Sequence, residues 1–329
     1  MARLRAGDAE GSAAPGPPGG TELAGPDAGR GGRDVGGRPV SRVLGRPEHA
    51  HVNRRFAARL DEVGALIVVH RGVAAGSVAE NTIEAVRAAL RSGGDIVELD
   101  AVASSDGVFF AFHDGMEPVL LGVPHNLATL PAERIRDLRH LRIAGSARSG
   151  RVPELGDVLA ALPHDALINL DRSWPWWRTL LPWLDEQGVT DRVLLKCWAA
   201  DEASLALLRA HPEPYPFMPI CRTLAEAERI LGDKALNTIG LELIATEPDG
   251  PFLDADVIAR LRDRGVFTMV NAEVLTSGPP LFAGLDDERS LFDDPDDGWG
   301  AILDLGIDAI QTDWPWLLHA YQARRAVRV

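Results

Sequence analysis

The sequence predicts an α/β fold, and within that class a (β/α)8 barrel of the TIM type with a small hairpin insertion after the second strand. Eight short apolar runs, several rich in Val and Ile, are mostly followed by helix-like segments. This alternation is typical of a parallel sheet, and eight repeats in about 270 residues fit a closed barrel better than an open sheet. The runs cover residues 65–70, 95–101, 165–171, 192–198, 216–222, 240–245, 266–272 and 308–313.

A ninth apolar run covers residues 107–114. It is joined to the second strand by the turn-forming sequence Ser104-Ser105-Asp106-Gly107. We interpret it as a hairpin extension of the second strand and not as a strand of the barrel itself.

The N-terminal segment differs in composition from the rest of the chain. Half of residues 11–40 are Gly or Pro, and such a segment buries too little apolar surface to offset the entropy of ordering it. We predict a disordered tail over residues 1–45 and a single barrel domain over residues 46–329.

Composition excludes several classes of function. A net charge of −14 disfavours binding to nucleic acid, which needs clustered Lys and Arg, although a metal ion can still attract a phosphate-containing small molecule. No segment reaches the ~18 apolar residues of a membrane span, so stable membrane insertion is not expected.

The first residues lack the apolar core of a secretory signal, which favours the cytoplasm and leaves secretion open. Cys197 and Cys221 are expected to be buried free thiols, and the oligomeric state is left open.

Polar side chains stand at the end of every predicted barrel strand. The carboxyl ends of barrel strands meet at one rim, where barrel enzymes carry their chemistry. One polar strand end is ordinary, but eight of them indicate a functional site. These residues are His70 and Arg71, Glu98 and Asp100, Asn169 and Asp171, Lys196, Arg222, Glu242, Asn271 and Asp313.

Glu98 and Asp100 are two residues apart in an apolar strand, so their side chains point the same way. Two like charges on one buried face are costly unless a cation lies between them, and carboxylate oxygens suit Mg²⁺ or Ca²⁺. His70 and His113 each end an apolar run, and imidazole titrates near neutral pH. The residues therefore indicate one divalent metal ion beside a histidine acid–base pair.

Five short motifs lie in a fixed order between His70 and Asp114, and they are HRG, ENT, ELDA, SDG and FHD. This series resembles the pattern of the glycerophosphodiester phosphodiesterase family. Two later segments, residues 266–272 and 310–318, resemble the last two strands of that family, so the likeness covers about residues 65–320.

The resemblance implies a (β/α)8 barrel, a phosphodiester substrate and a set of roles. It implies that His70 and His113 are catalytic, and we assign His70 as base and His113 as acid. It implies that Glu98 and Asp100 are metal ligands and that Arg71 holds the substrate phosphate. Asn81, within ENT, is expected to hold a loop or to reach the phosphate.

The third strand departs from the family pattern Glu-x-Lys. Asp171 stands in for the glutamate as third metal ligand, and no lysine follows it, because the next position on that face is Ser173. We expect Lys196, on the following strand, to supply the missing charge at the phosphate. An alternative register places Asn169 at the glutamate position and weakens the metal site. Glu242 and Asn271 are further candidates at the rim.

Two unusual segments have open interpretations. The acidic insertion at residues 284–300 is a lid, a second metal-binding loop or a solvated loop, and Trp174, Trp176 and Trp177 form either a substrate wall or ordinary packing.

The function that these features predict is metal-dependent hydrolysis of a glycerophosphodiester to glycerol 3-phosphate and an alcohol. The alternatives are a phosphodiesterase of the same superfamily that acts on a lysophospholipid, a sphingolipid or a sugar phosphodiester, and a barrel that binds a phosphodiester without turnover.

Overall fold

A computed structural model describes residues 42–141, 150–275 and 277–328. Nine β-strands lie in these residues, each within or close to an apolar run of the sequence. They are β1 (Leu66–Val69), β2 (Ile96–Ala103), β3 (Phe109–Ala111), β4 (Leu167–Asp171), β5 (Val193–Leu195), β6 (Ile220–Cys221), β7 (Gly240–Leu243), β8 (Phe267–Asn271) and β9 (Ala309–Thr312).

The strands other than β3 pair in parallel in the order β5-β4-β2-β1-β9-β8-β7-β6. The two ends of this order are also joined, because the backbone N–H of Met218 donates to Leu195 O and that of Ile220 donates to Cys197 O, both at 2.9 Å. The sheet therefore curls until its first and last strands meet. The predicted parallel α/β architecture is confirmed.

α-Helices connect most of the parallel strands, as the sequence predicts. Several begin with a side-chain cap: Thr223 and Glu226 form a capping box at the helix Leu224–Leu231, and Thr82, the last residue of ENT, caps the helix Ile83–Arg91. The helices are α1 (Ala50–Val63), α2 (Ile83–Arg91), α3 (Glu117–Leu120), α4 (Ala132–Asp137), α5 (Leu155–Ala161), α6 (Trp177–Gln187), α7 (Glu202–Ala210), α8 (Leu224–Leu231), α9 (Ala255–Arg262), α10 (Ala301–Asp304) and α11 (Pro315–Arg328). In the described part of the chain, no helix combines the length and apolarity that a membrane crossing needs.

Alternation along the strands divides the side chains between two cores. One face packs outward against the helices, in a large cluster that includes Trp177 and Phe217. The other face fills the amino-terminal half of the sheet interior, where Leu66, Ile96 and Leu167 begin their strands. The polar residues follow on the same inward face, because side chains two residues apart point the same way. The fold thus places a layer of polar side chains on the carboxyl-terminal side of the apolar interior core.

Strand β3 lies outside the parallel order. It pairs antiparallel with the end of β2, with Ala101 opposite Ala111 and Ala103 opposite Phe109. Its outer side carries a separate apolar cluster with residues of α4. Trp177 lies in the outer core and donates from Nε1 to Ser173 Oγ, so this tryptophan packs the α6 connection and does not form a substrate wall.

The packed domain begins earlier than the sequence indicates. Residues 1–41 of the predicted tail lie outside the described residues, but residues 42–45 are described. Leu44 is buried in the interior core, and Arg42 forms an ion pair with the buried Asp308 at 2.8 Å. These four residues belong to the domain that we predicted to begin at residue 46.

A substitution at Gly240 tests the packing of the interior core. A Cβ at this position would lie 2.6 Å from the fully buried ring of Phe267, so Gly240→Ala overpacks the core. We expect the free energy of unfolding in urea to fall by about 1–3 kcal/mol. Gly156→Ala is the matched control, because Gly156 lies in α5, where alanine is favoured and the nearest atom is 3.5 Å away. An unchanged stability of Gly240→Ala would contradict this packing.

Candidate active site

The polar layer begins on the paired strands β2 and β4. Their register sets Glu98 beside Asn169 and Asp100 beside Asp171, so all four side chains face the sheet interior near its carboxyl end. Asp171, and not Asn169, is level with Asp100. Asn169 is fully buried one step below, and neither of its amide atoms has a partner among the described residues.

Three carboxylates converge at this level. Oxygen atoms of Glu98, Asp100 and Asp171 lie within 4.8 Å of one another, and Glu98 and Asp100 are each 1% exposed. Burial raises the pKa of Glu98 well above its usual range, and the charge of Asp100 adds to the effect. The Oε1 atom of Glu98 is buried without a hydrogen-bond partner in the described structure. The cluster therefore contains a buried carboxyl oxygen that no described residue satisfies.

Two loop residues hold Glu98 and Asp100 from the β1 side. The backbone N–H of Arg71 donates to Glu98 Oε2 at 2.7 Å, and its guanidinium lies against Glu80 and Asp100. Asn81 donates from Nδ2 to Asp100 Oδ2 and accepts from the Asp100 backbone N–H, both at 2.9 Å. Arg71 and Asn81 both adopt left-handed backbone conformations, which non-glycine residues rarely do. Asn81 thus positions the carboxylate of Asp100.

Lys196 holds the third carboxylate from the other side. Its Nζ lies 2.7 Å from Asp171 Oδ2 and 2.9 Å from Glu242 Oε2, and Asn271 donates to the second oxygen of Glu242 at 2.8 Å. Burial lowers the pKa of Lys196, but the charges of Asp171 and Glu242 outweigh burial and raise it. Burial raises the pKa of Asp171, but the charge of Lys196 and its hydrogen bond outweigh burial and hold that pKa below its usual range. The predicted rim residues Glu242 and Asn271 therefore belong to the same network as the cluster.

The two candidate catalytic histidines follow β1 and β3, the strands that pair with β2. His70 follows β1, and its Nδ1 lies 2.9 Å from Asp313 Oδ1. Burial lowers the pKa of His70, but the Asp313 hydrogen bond and the charges of Glu273 and Glu98 outweigh burial and raise it to about 10. His113 follows β3, and the residue before it donates its backbone N–H to Asp100 O at 3.1 Å. Burial lowers the pKa of His113, and its Nδ1 lies 3.0 Å from the Asp114 carbonyl.

Sequence reasoning missed a residue of the acidic insertion. Asp287 is 2% exposed and accepts hydrogen bonds from Trp299 Nε1, Thr312 Oγ1 and the backbone N–H of Asp313. It therefore fixes the backbone from which Asp313 reaches His70. The other acidic residues of the insertion are exposed or partly exposed, so composition alone did not distinguish this one. Glu80 was also missed, although it stands beside Asn81 within ENT.

The residues of the cluster fit a divalent cation. They offer hard oxygen donors from three carboxylates at the carboxyl ends of β2 and β4, one of them with an oxygen that no described residue satisfies. Lys196 and Arg71 balance part of the charge, but Glu98 Oε1 has no hydrogen-bond partner among the described residues.

Comparison with known proteins gives the class of the chain, which is that of a phosphoric diester hydrolase. A model described as the glycerophosphoryl diester phosphodiesterase family matches residues 70–315. The chain therefore belongs to the glycerophosphoryl diester phosphodiesterase family, and the resemblance predicted from the motifs is confirmed. A search of curated proteins found no match.

Several solved structures share the fold at low sequence identity. A putative glycerophosphodiester phosphodiesterase from Galdieria sulphuraria is 20% identical with a TM-score of 0.59, and the match covers 79% of this chain and 98% of that one. A glycerophosphoryl diester phosphodiesterase from Parabacteroides distasonis ATCC 8503 is 19% identical with a TM-score of 0.60, covering 77% and 84%. One from Agrobacterium tumefaciens str. C58 is 22% identical with a TM-score of 0.56, covering 78% and 99%.

The role of Asp287 can be tested by stability. Asp287→Ala leaves three donors without their acceptor, and we expect the free energy of unfolding to fall by about 3 kcal/mol. Asp297→Ala is the matched control in the same insertion, because its side chain is exposed. Urea unfolding followed by circular dichroism measures both variants. Equal stability of the two would show that Asp287 does not anchor the insertion.

Proposed function

We propose that this protein hydrolyses a glycerophosphodiester to glycerol 3-phosphate and an alcohol, with one divalent cation, Mg²⁺ or Ca²⁺, and a histidine pair. The observation that carries the proposal is the convergence of Glu98, Asp100 and Asp171 beside the ends of β1 and β3, which His70 and His113 follow. Because the chain belongs to this family, hydrolysis of a phosphodiester is the reaction that this site is proposed to catalyse.

The three carboxylates are proposed as the ligands of the cation. When bound, it would polarise the phosphorus and offset charge on the phosphate oxygens. Asn81 and the Arg71 backbone orient two of these ligands before substrate arrives, and Lys196 orients the third. The guanidinium of Arg71 and the ammonium of Lys196 are proposed to donate to the remaining phosphate oxygens.

The histidines are proposed to carry the two proton transfers. Each has Nδ1 occupied by an oxygen acceptor, Asp313 Oδ1 for His70 and Asp114 O for His113, so each presents Nε2 to the reacting groups. One accepts the proton of the attacking hydroxyl or water, and the other donates a proton to the leaving alcohol. We do not assign which histidine is the base and which is the acid. The charge of Glu98 is among the causes that raise the pKa of His70. Glu98 is a proposed metal ligand, so a bound cation would offset that charge.

We also infer the finer form of the fold. The hydrogen bonds between the β5 and β6 regions support a complete (β/α)8 barrel, and the antiparallel pairing of β3 with β2 supports a hairpin insertion that brings His113 to the cluster.

A hydrolysis assay on a panel of glycerophosphodiesters tests the proposed function. We expect EDTA to abolish turnover and Mg²⁺ or Ca²⁺ to restore it. His113→Ala should lower kcat roughly 10²–10⁴-fold, because it removes one proton transfer. Glu98→Gln should lower kcat/KM roughly a hundredfold or more, because it removes a charged ligand.

Glu133→Gln is the matched control for loss of a carboxylate charge, because Glu133 is exposed on α4. Activity that survives chelation and both site substitutions would refute the proposed function. Binding of the diester without any turnover by the wild type would favour the non-catalytic alternative.

A further inference from the structure

The region around the carboxyl ends of the strands is here called the mouth. Its cationic side chains differ in whether they form ion pairs with carboxylates. Arg71, Arg172 and Lys196 each form ion pairs with carboxylates of the mouth. Arg222 is exposed there and forms no ion pair within the part of the chain that the structure describes. It is therefore a guanidinium at the mouth that is available to a ligand.

Arg222 is nevertheless held in place. Its guanidinium carbon lies 4.2 Å from the centre of the Trp198 ring, a cation–π contact that fixes the planar group. Trp198 is itself anchored, because its backbone bridges to Ile220 across the join between β5 and β6. A long side chain that is stacked in this way loses less entropy when it binds than a free one.

The position of this pair relates it to the proposed reaction centre. The backbone after β5 continues to pair with Ile220 through Cys197 O and Ala199 N, so it stays extended through Trp198. Trp198 follows Lys196 by two residues, so alternation directs both side chains to the interior, with Trp198 roughly 6.6 Å further along the chain direction. Lys196 contacts the carboxylate cluster. The Arg222–Trp198 pair thus lies one level above the groups proposed to hold the phosphate, on the side that opens to solvent.

Charge around the mouth is uneven. The acidic insertion leaves β8 and returns to β9, whereas Arg222 lies over β5 and β6. A substrate with a second negative group is repelled by the first side and attracted by the second.

We propose that Arg222, held by Trp198, is a specificity-determining residue that binds an anionic group, a phosphate or a carboxylate, on the leaving alcohol of the diester. This inference rests on the proposed function and names its substrate class. In the reaction, the attacking oxygen bonds to phosphorus as the bond from phosphorus to the alcohol oxygen breaks, and the alcohol takes up a proton. The extra anion is unchanged and stays paired with Arg222 throughout.

A matched pair of substrates tests the proposal. Bis(glycerophospho)glycerol releases an alcohol that bears a second phosphodiester charge, and glycerophosphoglycerol releases uncharged glycerol. We expect Arg222→Gln to lower kcat/KM for the first roughly tenfold or more, through loss of a charge-assisted hydrogen bond, and for the second by less than about twofold. Arg222→Lys should lie between them, because it keeps the charge but not the planar stack.

Arg54→Gln is the matched control, since Arg54 is exposed on α1, whose residues pack at the amino-terminal side of the sheet. An equal effect of Arg222→Gln on both substrates, or no effect on either, would overturn the proposal.

Failure of the proposed function is distinguished by binding. If the wild type hydrolyses neither diester, isothermal titration calorimetry of both diesters against the wild type, Arg222→Gln and Arg54→Gln still decides the matter. Selective weakening of bis(glycerophospho)glycerol by Arg222→Gln would support the anion site, and binding that is indifferent to Arg222 would refute it.

Discussion

The electrostatic repulsion among Glu98, Asp100 and Asp171 is the constraint on which the rest of the site depends. Alternation along β2 forces two of these carboxylates onto one buried face, and the register of β4 adds the third beside them. Buried like charges are expensive unless opposite charges and hydrogen bonds compensate for them. Lys196 and Arg71 supply the opposite charge, but one oxygen of Glu98 keeps no partner in the described structure.

The surrounding architecture can be understood as support for that cluster. The loops that follow β1 and β4 carry Arg71 and Arg172 in left-handed conformations, and the backbone N–H of Arg71 reaches Glu98 because of this turn. Glu242 and Asn271 extend the network through Lys196 to β7 and β8. From the other side, Asp287 fixes Asp313, which holds His70. The acidic insertion is therefore coupled to the candidate catalytic histidine by two successive hydrogen bonds.

Much of the fold and of the cluster follows from periodicity in the sequence. Apolar runs such as residues 95–101 predict where the strands form. Side-chain alternation is then enough to place Glu98 and Asp100 on the same face of β2. The partners of Arg71 and Asn81 could not be predicted, because the left-handed backbone at Arg71 has no signature in residue type and only the folded loop brings both residues to the carboxylates. Asp287 was hidden among other acidic residues, since only tertiary packing distinguishes the one that is buried. Leu44 was assigned to the tail because the Gly- and Pro-rich composition before it conceals a short packed segment.

The central claim of this account is that the three carboxylates are held together to bind one divalent cation. Isothermal titration calorimetry of the metal-free protein with Mg²⁺ and with Ca²⁺ tests it most directly. Asp171→Asn removes a proposed ligand charge, and Asp114→Asn, whose residue pairs with Arg172 at the mouth, is the matched control. The account predicts one ion per chain for the wild type and the control, and binding weakened roughly tenfold or more in Asp171→Asn. No binding by the wild type, or equal binding by Asp171→Asn, would contradict it.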